Sequence, residues 1–184
     1  MRDATPRSAV FLDRDGVLID VRIIGGRPHP VERLEDVRIL DGVDESCRAL
    51  KAAGAVLVLV TNQPDVARGA TTRAFVDDVN STLAASLGID DVQVCFHDDS
   101  DACTCRKPRP GLLFAAAEGL GIQLSTSVMV GDRWRDIEAG RAAGVRTVFI
   151  DRKYDERRPL GSDLEVGTLA EAVPFILRLI AHPG

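Results

Sequence analysis

Residues 55–61 read Ala-Val-Leu-Val-Leu-Val-Thr, an unbroken apolar run of strand length closed by one hydroxyl. A strand that is hydrophobic on both faces must be covered on both, and the usual cover is helices packed above and below a parallel sheet. The flanking sequence supplies them. Residues 42–53 have helical periodicity and end at Gly54, residues 72–87 stop at Gly88, and residues 110–120 carry Pro110 at the first turn with Gly121 after the last. Shorter apolar runs predict strands at 9–13, 92–96, 127–130 and 145–150, and a helix over 136–143 ends at Gly144. The alternation predicts an α/β fold, a mostly parallel sheet with helices on both faces, in a single domain over 1–184. Its core is expected at about 8–151, followed by an amphipathic surface helix at about 168–181. Residues 19–40, with Gly25, Gly26, Pro28 and Pro30, are expected to form a lid or substrate loop near the first strand end.

In such sheets ligands bind outside the carboxyl ends of the strands, so the polar residues there are the candidates. The first strand delivers Asp13-Arg14-Asp15-Gly16. Two carboxylates two residues apart repel unless a divalent cation is shared, and one can then attack phosphorus while the other moves a proton. The second ends in Thr61-Asn62-Gln63, where a hydroxyl and a backbone N–H can hold phosphate oxygens. A later strand ends in Gly131-Asp132, with Arg133 and Asp136 following, suited to a metal ligand and a supporting carboxylate. Lys107, preceded by Arg106, can neutralise both a carboxylate and an arriving phosphate. Each signal alone also has a plain reading, as a helix cap, a polar turn or a solvated charge.

Four cysteines are present, and Cys95, Cys103 and Cys105 fall close together with His97 among them. Three soft thiolates and one imidazole match a closed tetrahedral zinc site, in which four protein ligands leave no position for substrate. A structural zinc clamping residues 95–107 is therefore expected, just ahead of Arg106 and Lys107. Cys47 stands alone in a helical pattern and reads as a small core hydrophobe.

In order and spacing the four strand-end motifs resemble those of the haloacid dehalogenase superfamily, over about residues 8–150. The resemblance implies a Rossmann-like fold and a magnesium-dependent phosphatase. It implies Asp13 as nucleophile and Asp15 as the group that protonates the leaving alkoxide and then activates water. Magnesium would be held by Asp13, the main-chain carbonyl of Asp15 and Asp132, with Asp136 beside it, and Thr61 and Lys107 would hold the transferring phosphoryl group. Phe11-Leu12-Asp13-Arg14-Asp15-Gly16, Ala67-Arg68-Gly69, Cys105-Arg106-Lys107-Pro108 and the zinc loop resemble a narrower subfamily. Its members act on D-glycero-D-manno-heptose 1,7-bisphosphate or histidinol phosphate and lack a large cap domain. That implies a small phosphorylated sugar as substrate, Asn62, Gln63, Arg106 and Arg133 as its contacts, and Arg106 as the side chain meeting a second phosphate. Histidinol phosphate and a catalytically vestigial, zinc-stabilised binding module are the competing readings. Pro64-Asp65, Val17, Arg133 and Trp134 depart from the subfamily's common residues.

The net charge of −5 argues against a nucleic-acid partner, which selects a basic face. Residues 1–8 contain no apolar signal region, and no apolar run is long enough for a bilayer. A cytoplasmic monomer with no membrane partner is expected.

Overall fold

A computed structural model describes residues 7–181; residues 1–6, most of the polar N-terminal stretch, and 182–184 lie outside the described residues. In chain order the elements are β1 (Ala9–Leu12), β2 (Arg22–Ile24), β3 (Arg27–His29), α1 (Val43–Ala52), β4 (Val56–Asn62), α2 (Arg73–Leu87), β5 (Asp91–Cys95), α3 (Gly111–Leu120), β6 (Val128–Gly131), α4 (Trp134–Ala143), β7 (Arg146–Ile150), β8 (Leu164–Val166) and α5 (Leu169–Ala181). Six strands form one sheet in the order β5-β4-β1-β6-β7-β8. Every neighbouring pair in it is parallel. The chain builds outward from β1 through β4 to β5, then returns to place β6 on the other side of β1. The strand order reverses at β1 and β6, and the crevice beyond their carboxyl ends is where such sheets bind ligands.

The double burial of the strands follows their period of two. Val10, Leu12, Leu57, Leu59, Val128 and Val130 face one layer, packed with Val43, Cys47 and Leu50 of α1, Val79 and Leu83 of α2, and Leu169 and Ile176 of α5. Ala9, Phe11, Val56, Val58, Val60 and Met129 face the other, packed with Leu112, Leu113 and Ala116 of α3 and Ala143 of α4. Cys47 is fully buried in the first layer, as its helical position predicts.

Two features go beyond the sequence pattern. Residues 22–29 form an antiparallel hairpin, β2 against β3, within the stretch expected to be loop. The sheet also continues past residue 151. β8 pairs with β7 after a charged excursion over 151–163, and α5 then packs on the sheet. Among the described residues no cap domain interrupts the sheet, so the crevice is walled by loops and the hairpin segment.

Candidate active site

At the end of β1, Asp13 is buried, and its own N–H continues the pairing with β6 by donating to the Val130 carbonyl at 3.0 Å. Lys107, also buried, reaches it from the loop after the cysteine cluster. Its Nζ donates to Asp13 Oδ1 at 2.7 Å, to the Val60 carbonyl at 2.8 Å, and pairs with Asp136 Oδ1 at 2.6 Å. Asp13, Asp132 and Asp136 are all buried and offer carboxylate oxygens within 4.8 Å of one another. Asp136 can come so close because residue 131 is glycine: a Cβ there would lie 2.1 Å from the Asp136 Cβ. α4 begins at Trp134, earlier than the sequence pattern gives, so Asp136 sits in its first turn and accepts the Arg133 N–H at 3.0 Å. Asp132 lies before the helix and does not cap it.

Three buried carboxylates face one ammonium, and the electrostatics report the excess. Burial pushes Asp13 up to about 6, opposed by Lys107 and assisted by Asp136 and Asp15. Burial, with Asp13 and Asp136 nearby, holds Asp132 well above the ordinary carboxylate range. Burial alone would lower Lys107, but Asp13 and Asp136 outweigh it and raise it. Asp132 Oδ1 is buried without a hydrogen-bond partner. A buried carboxylate oxygen left without a partner, in a cluster of three carboxylates, fits a divalent cation.

A carboxyl whose pKa is higher folded than unfolded binds protons on folding, so its ionisation costs stability at neutral pH and the cost fades as pH falls. In magnesium-free buffer the protein is expected to gain thermal stability as pH drops from about 7.5 to about 5.5. Asp90, Asp151 and Asp163, held low by their partners, lose their contribution only at more acid pH. Scanning calorimetry across that window checks this; a midpoint that falls steadily on acidification contradicts it.

Around this centre the remaining motif side chains hold one another. Asp15 receives Arg14 Nε at 3.1 Å and Nη2 at 3.2 Å, and Gln63 Nε2 at 2.9 Å. Arg14 is itself buried and anchored by Nη1 on Asn80 Oδ1 at 3.2 Å. Gln63 Nε2 also donates to Thr61 Oγ1 at 2.9 Å. The Asn62 amide grips the Lys107 backbone from both ends, accepting its N–H at 3.1 Å and donating to its carbonyl at 3.0 Å. Asn62 and Gln63, expected on substrate, line the cavity but spend these hydrogen bonds on positioning Lys107, Asp15 and Thr61.

A cavity of about 190 Å³ opens over Asp13, Asp15, Thr61, Lys107, Asp132 and Asp136, walled by Val21, Pro28, His29 and Pro30 of the hairpin segment. Its cationic rim is Arg68, Arg133 and Arg135. Arg106 is not in the lining. Its Nε binds Asp99 Oδ1 at 2.8 Å, and Arg135 Nη1 meets the same oxygen at 3.3 Å, so the two arginines share one carboxylate. Arg133 lines the cavity and is held by Glu156 through Nε at 2.7 Å and Nη2 at 2.5 Å.

The cysteine cluster lies at the end of β5. Cys95 Sγ is 3.3 Å from Cys105 Sγ and 3.8 Å from Cys103 Sγ, and His97 Nδ1 lies 3.6 Å from Cys95 and 3.3 Å from Cys105. A tetrahedral zinc with bonds of about 2.3 Å would set its sulfurs about 3.8 Å apart, so these spacings fit a common ion. Burial pushes the Cys95 thiol up to about 12, so a metal taking its thiolate would displace a proton.

The sequence profile of the haloacid dehalogenase-like hydrolases matches residues 27–144. The chain belongs to that family. It is 36% identical over 156 residues to the D-glycero-beta-D-manno-heptose-1,7-bisphosphate 7-phosphatase of Yersinia pestis, covering 78% of this chain and 80% of that one. The enzyme of that name from Haemophilus ducreyi is 32% identical over 185 residues, with 92% and 98% covered. The D,D-heptose 1,7-bisphosphate phosphatase of B. bronchiseptica, solved with magnesium and phosphate, superposes with a TM-score of 0.77 at 28% identity, covering 93% of this chain and 98% of that one. Within the haloacid dehalogenase-like hydrolases this chain is a phosphatase, and the carboxylates and lysine gathered at its switch point are what remains to be given roles.

Proposed function

We propose that this phosphatase removes the 7-phosphate of D-glycero-D-manno-heptose 1,7-bisphosphate, in the supply of nucleotide-activated heptose. The observation that carries the reading is the buried Asp13–Lys107 pair beside Asp132, in a chain closely similar to heptose bisphosphate phosphatases over most of its length.

In the first half-reaction an Asp13 carboxylate oxygen attacks phosphorus and the bond to the sugar oxygen breaks. The leaving alkoxide takes a proton from Asp15, leaving a phospho-aspartate on Asp13. In the second, a water gives its proton to Asp15 and attacks phosphorus; the bond to the Asp13 oxygen breaks and phosphate departs. Lys107 holds Asp13 in place and meets the phosphoryl oxygens together with Thr61. The bidentate Arg14 contact and Gln63 fix the Asp15 carboxylate between these two proton transfers. Asp13, the main-chain carbonyl of Asp15 and Asp132 would hold magnesium, with Asp136 beside it. When bound, the ion supplies a hard positive charge against the carboxylates and the phosphoryl oxygens. Zinc on Cys95, His97, Cys103 and Cys105 serves structure alone.

A second phosphate needs cations at the rim. Arg68 is paired with Asp98 at 2.5 Å, Arg133 with Glu156 and Arg135 with Asp99, so each is pre-positioned rather than free to sweep the cavity. These three replace Arg106 as the side chains offered to it. Phosphate release with magnesium, measured on both anomers of heptose 1,7-bisphosphate, fructose 1,6-bisphosphate, histidinol phosphate and a 3′-phosphorylated oligonucleotide, tests the reading. One heptose anomer is expected to give the highest kcat/KM. A preference for histidinol phosphate would keep the chemistry and overturn the substrate, and inactivity on every compound would favour the vestigial module.

A further inference from the structure

Asp132 is held by a side chain outside every motif. Tyr154, the chain's single tyrosine, lies in the 151–163 excursion between β7 and β8, and its hydroxyl donates to Asp132 Oδ2 at 2.7 Å. The backbone of the first motif closes in on the same oxygen, beside the tyrosine hydroxyl. A Cβ on Gly16 would fall 1.9 Å from Asp132 Oδ2 and 2.6 Å from the Tyr154 hydroxyl, so neither group could keep its place beside a larger residue. With Oδ2 confined in this way, Oδ1 is left buried and without a hydrogen-bond partner. One oxygen is tied and the other is bare and buried, in a carboxylate that stands close to two more; that is how an outer group orients a carboxylate that binds a cation.

The excursion itself is pinned on both sides of Tyr154. The Asp155 N–H donates to the Gly26 carbonyl of the hairpin at 2.8 Å, and Glu156 takes the two-pronged contact from Arg133 at the start of α4. Arg157 lies over the Trp134 ring at 4.5 Å and bonds Glu138 at 2.5 Å. Tyr154 thus projects from a segment clamped between the hairpin and α4 by contacts that do not involve Asp132.

We infer that Tyr154 is a positioning residue for the divalent cation: its hydroxyl fixes the Asp132 carboxylate so that one oxygen is presented to the metal. The inference rests on the magnesium reading above. It assigns the 151–163 segment a task in metal binding.

Tyr154→Phe keeps the ring and removes only the donor. The test follows the thermal midpoint of the wild type and the variant as magnesium chloride is titrated in, without substrate, so that magnesium affinity is read from the stabilisation it produces. The variant is expected to need roughly 10–100-fold more magnesium for the same shift, the usual consequence of losing an outer-shell partner. In the phosphatase assay its activation constant for magnesium should rise by a similar factor, while kcat at saturating magnesium stays within a few fold. Tyr154→Leu, which also removes the ring, separates packing from orientation: its magnesium-free midpoint should fall, whereas that of Tyr154→Phe changes little by comparison. Equal magnesium affinity in the wild type and in Tyr154→Phe would overturn the role of Tyr154 and leave the magnesium reading standing. A wild type that magnesium does not stabilise at all would sink the magnesium reading, and the inference with it.

Discussion

Asp13→Asn is expected to lower kcat on the order of 10⁴-fold or more, the scale at which loss of a nucleophile outweighs every other single substitution in such a site. The amide keeps the shape of the carboxylate and can still sit beside Lys107, but cannot form the phospho-aspartate. The fold should not suffer. Asp13 is one of three buried carboxylates around one ammonium, and its own ionisation is opposed by burial and by Asp136 and Asp15. Removing its charge relieves that repulsion, while Lys107 retains Asp136 at 2.6 Å and the Val60 carbonyl at 2.8 Å. In magnesium-free buffer the variant is therefore expected to melt no lower than the wild type. Steady-state kinetics and scanning calorimetry on one preparation check both halves. Substantial remaining turnover would contradict the covalent role, and a large drop in melting temperature would contradict the electrostatic description of the site.

The second large effect concerns zinc. Removing the ion by chelation, or one ligand by Cys105→Ser, is expected to lower the melting temperature by roughly 10 °C or more, since structural zinc sites contribute several kcal/mol and a domain of this size shifts about 2–4 °C per kcal/mol. Cys95 is buried in the second core layer, with Cys103 and Cys105 packed against it. The Arg106 N–H leans on Cys103 Sγ at 3.4 Å, and Gly111 donates to the Thr104 carbonyl at 3.2 Å, so the cluster fixes the chain on both sides of Lys107. Activity should fall with the zinc because Lys107 then loses part of the scaffold that presents it to Asp13. Metal analysis of the stripped protein, followed by magnesium-saturated assays, reads the coupling. A demonstrably zinc-free protein with the stability and activity of the intact one would contradict it.

What the sequence discloses, and what it withholds, follows from how each residue is placed. Asp13, Thr61 and Gly131-Asp132 are legible because a parallel sheet sends the carboxyl ends of its strands to one edge, and strands as apolar as 55–61 announce where they end. The cysteine cluster is legible because its four members are close in sequence. Asn62 and Gln63 are visible as polar strand-end residues, but their partners depend on side-chain direction: Asn62 turns to the Lys107 backbone and Gln63 to Asp15 and Thr61. Arg106 is paired with Asp99, an acid that lies in sequence between His97 and Cys103 and carries no pattern of its own. Arg14 sits between the two motif aspartates in plain view, yet its burial against Asn80 depends on α2, far along the chain. The 151–163 segment is charged and has no helical or alternating period, so its sequence predicts no element there. Only the fold brings Tyr154 to Asp132, Glu156 to Arg133, and the short strand β8 to the edge of the sheet.

Phosphorylation of Asp13 is the event on which the proposed chemistry turns, and it can be caught. In Asp15→Asn the second half-reaction loses its base, while an activated ester such as p-nitrophenyl phosphate needs no proton on its leaving group. Rapid mixing of that variant with magnesium and p-nitrophenyl phosphate, followed by acid quench and peptide mapping, is expected to give a burst of nitrophenolate approaching the enzyme concentration. It should also leave one phosphoryl group on the peptide that carries Asp13. No burst and no label, or a label on another residue, would contradict a phospho-aspartate at Asp13.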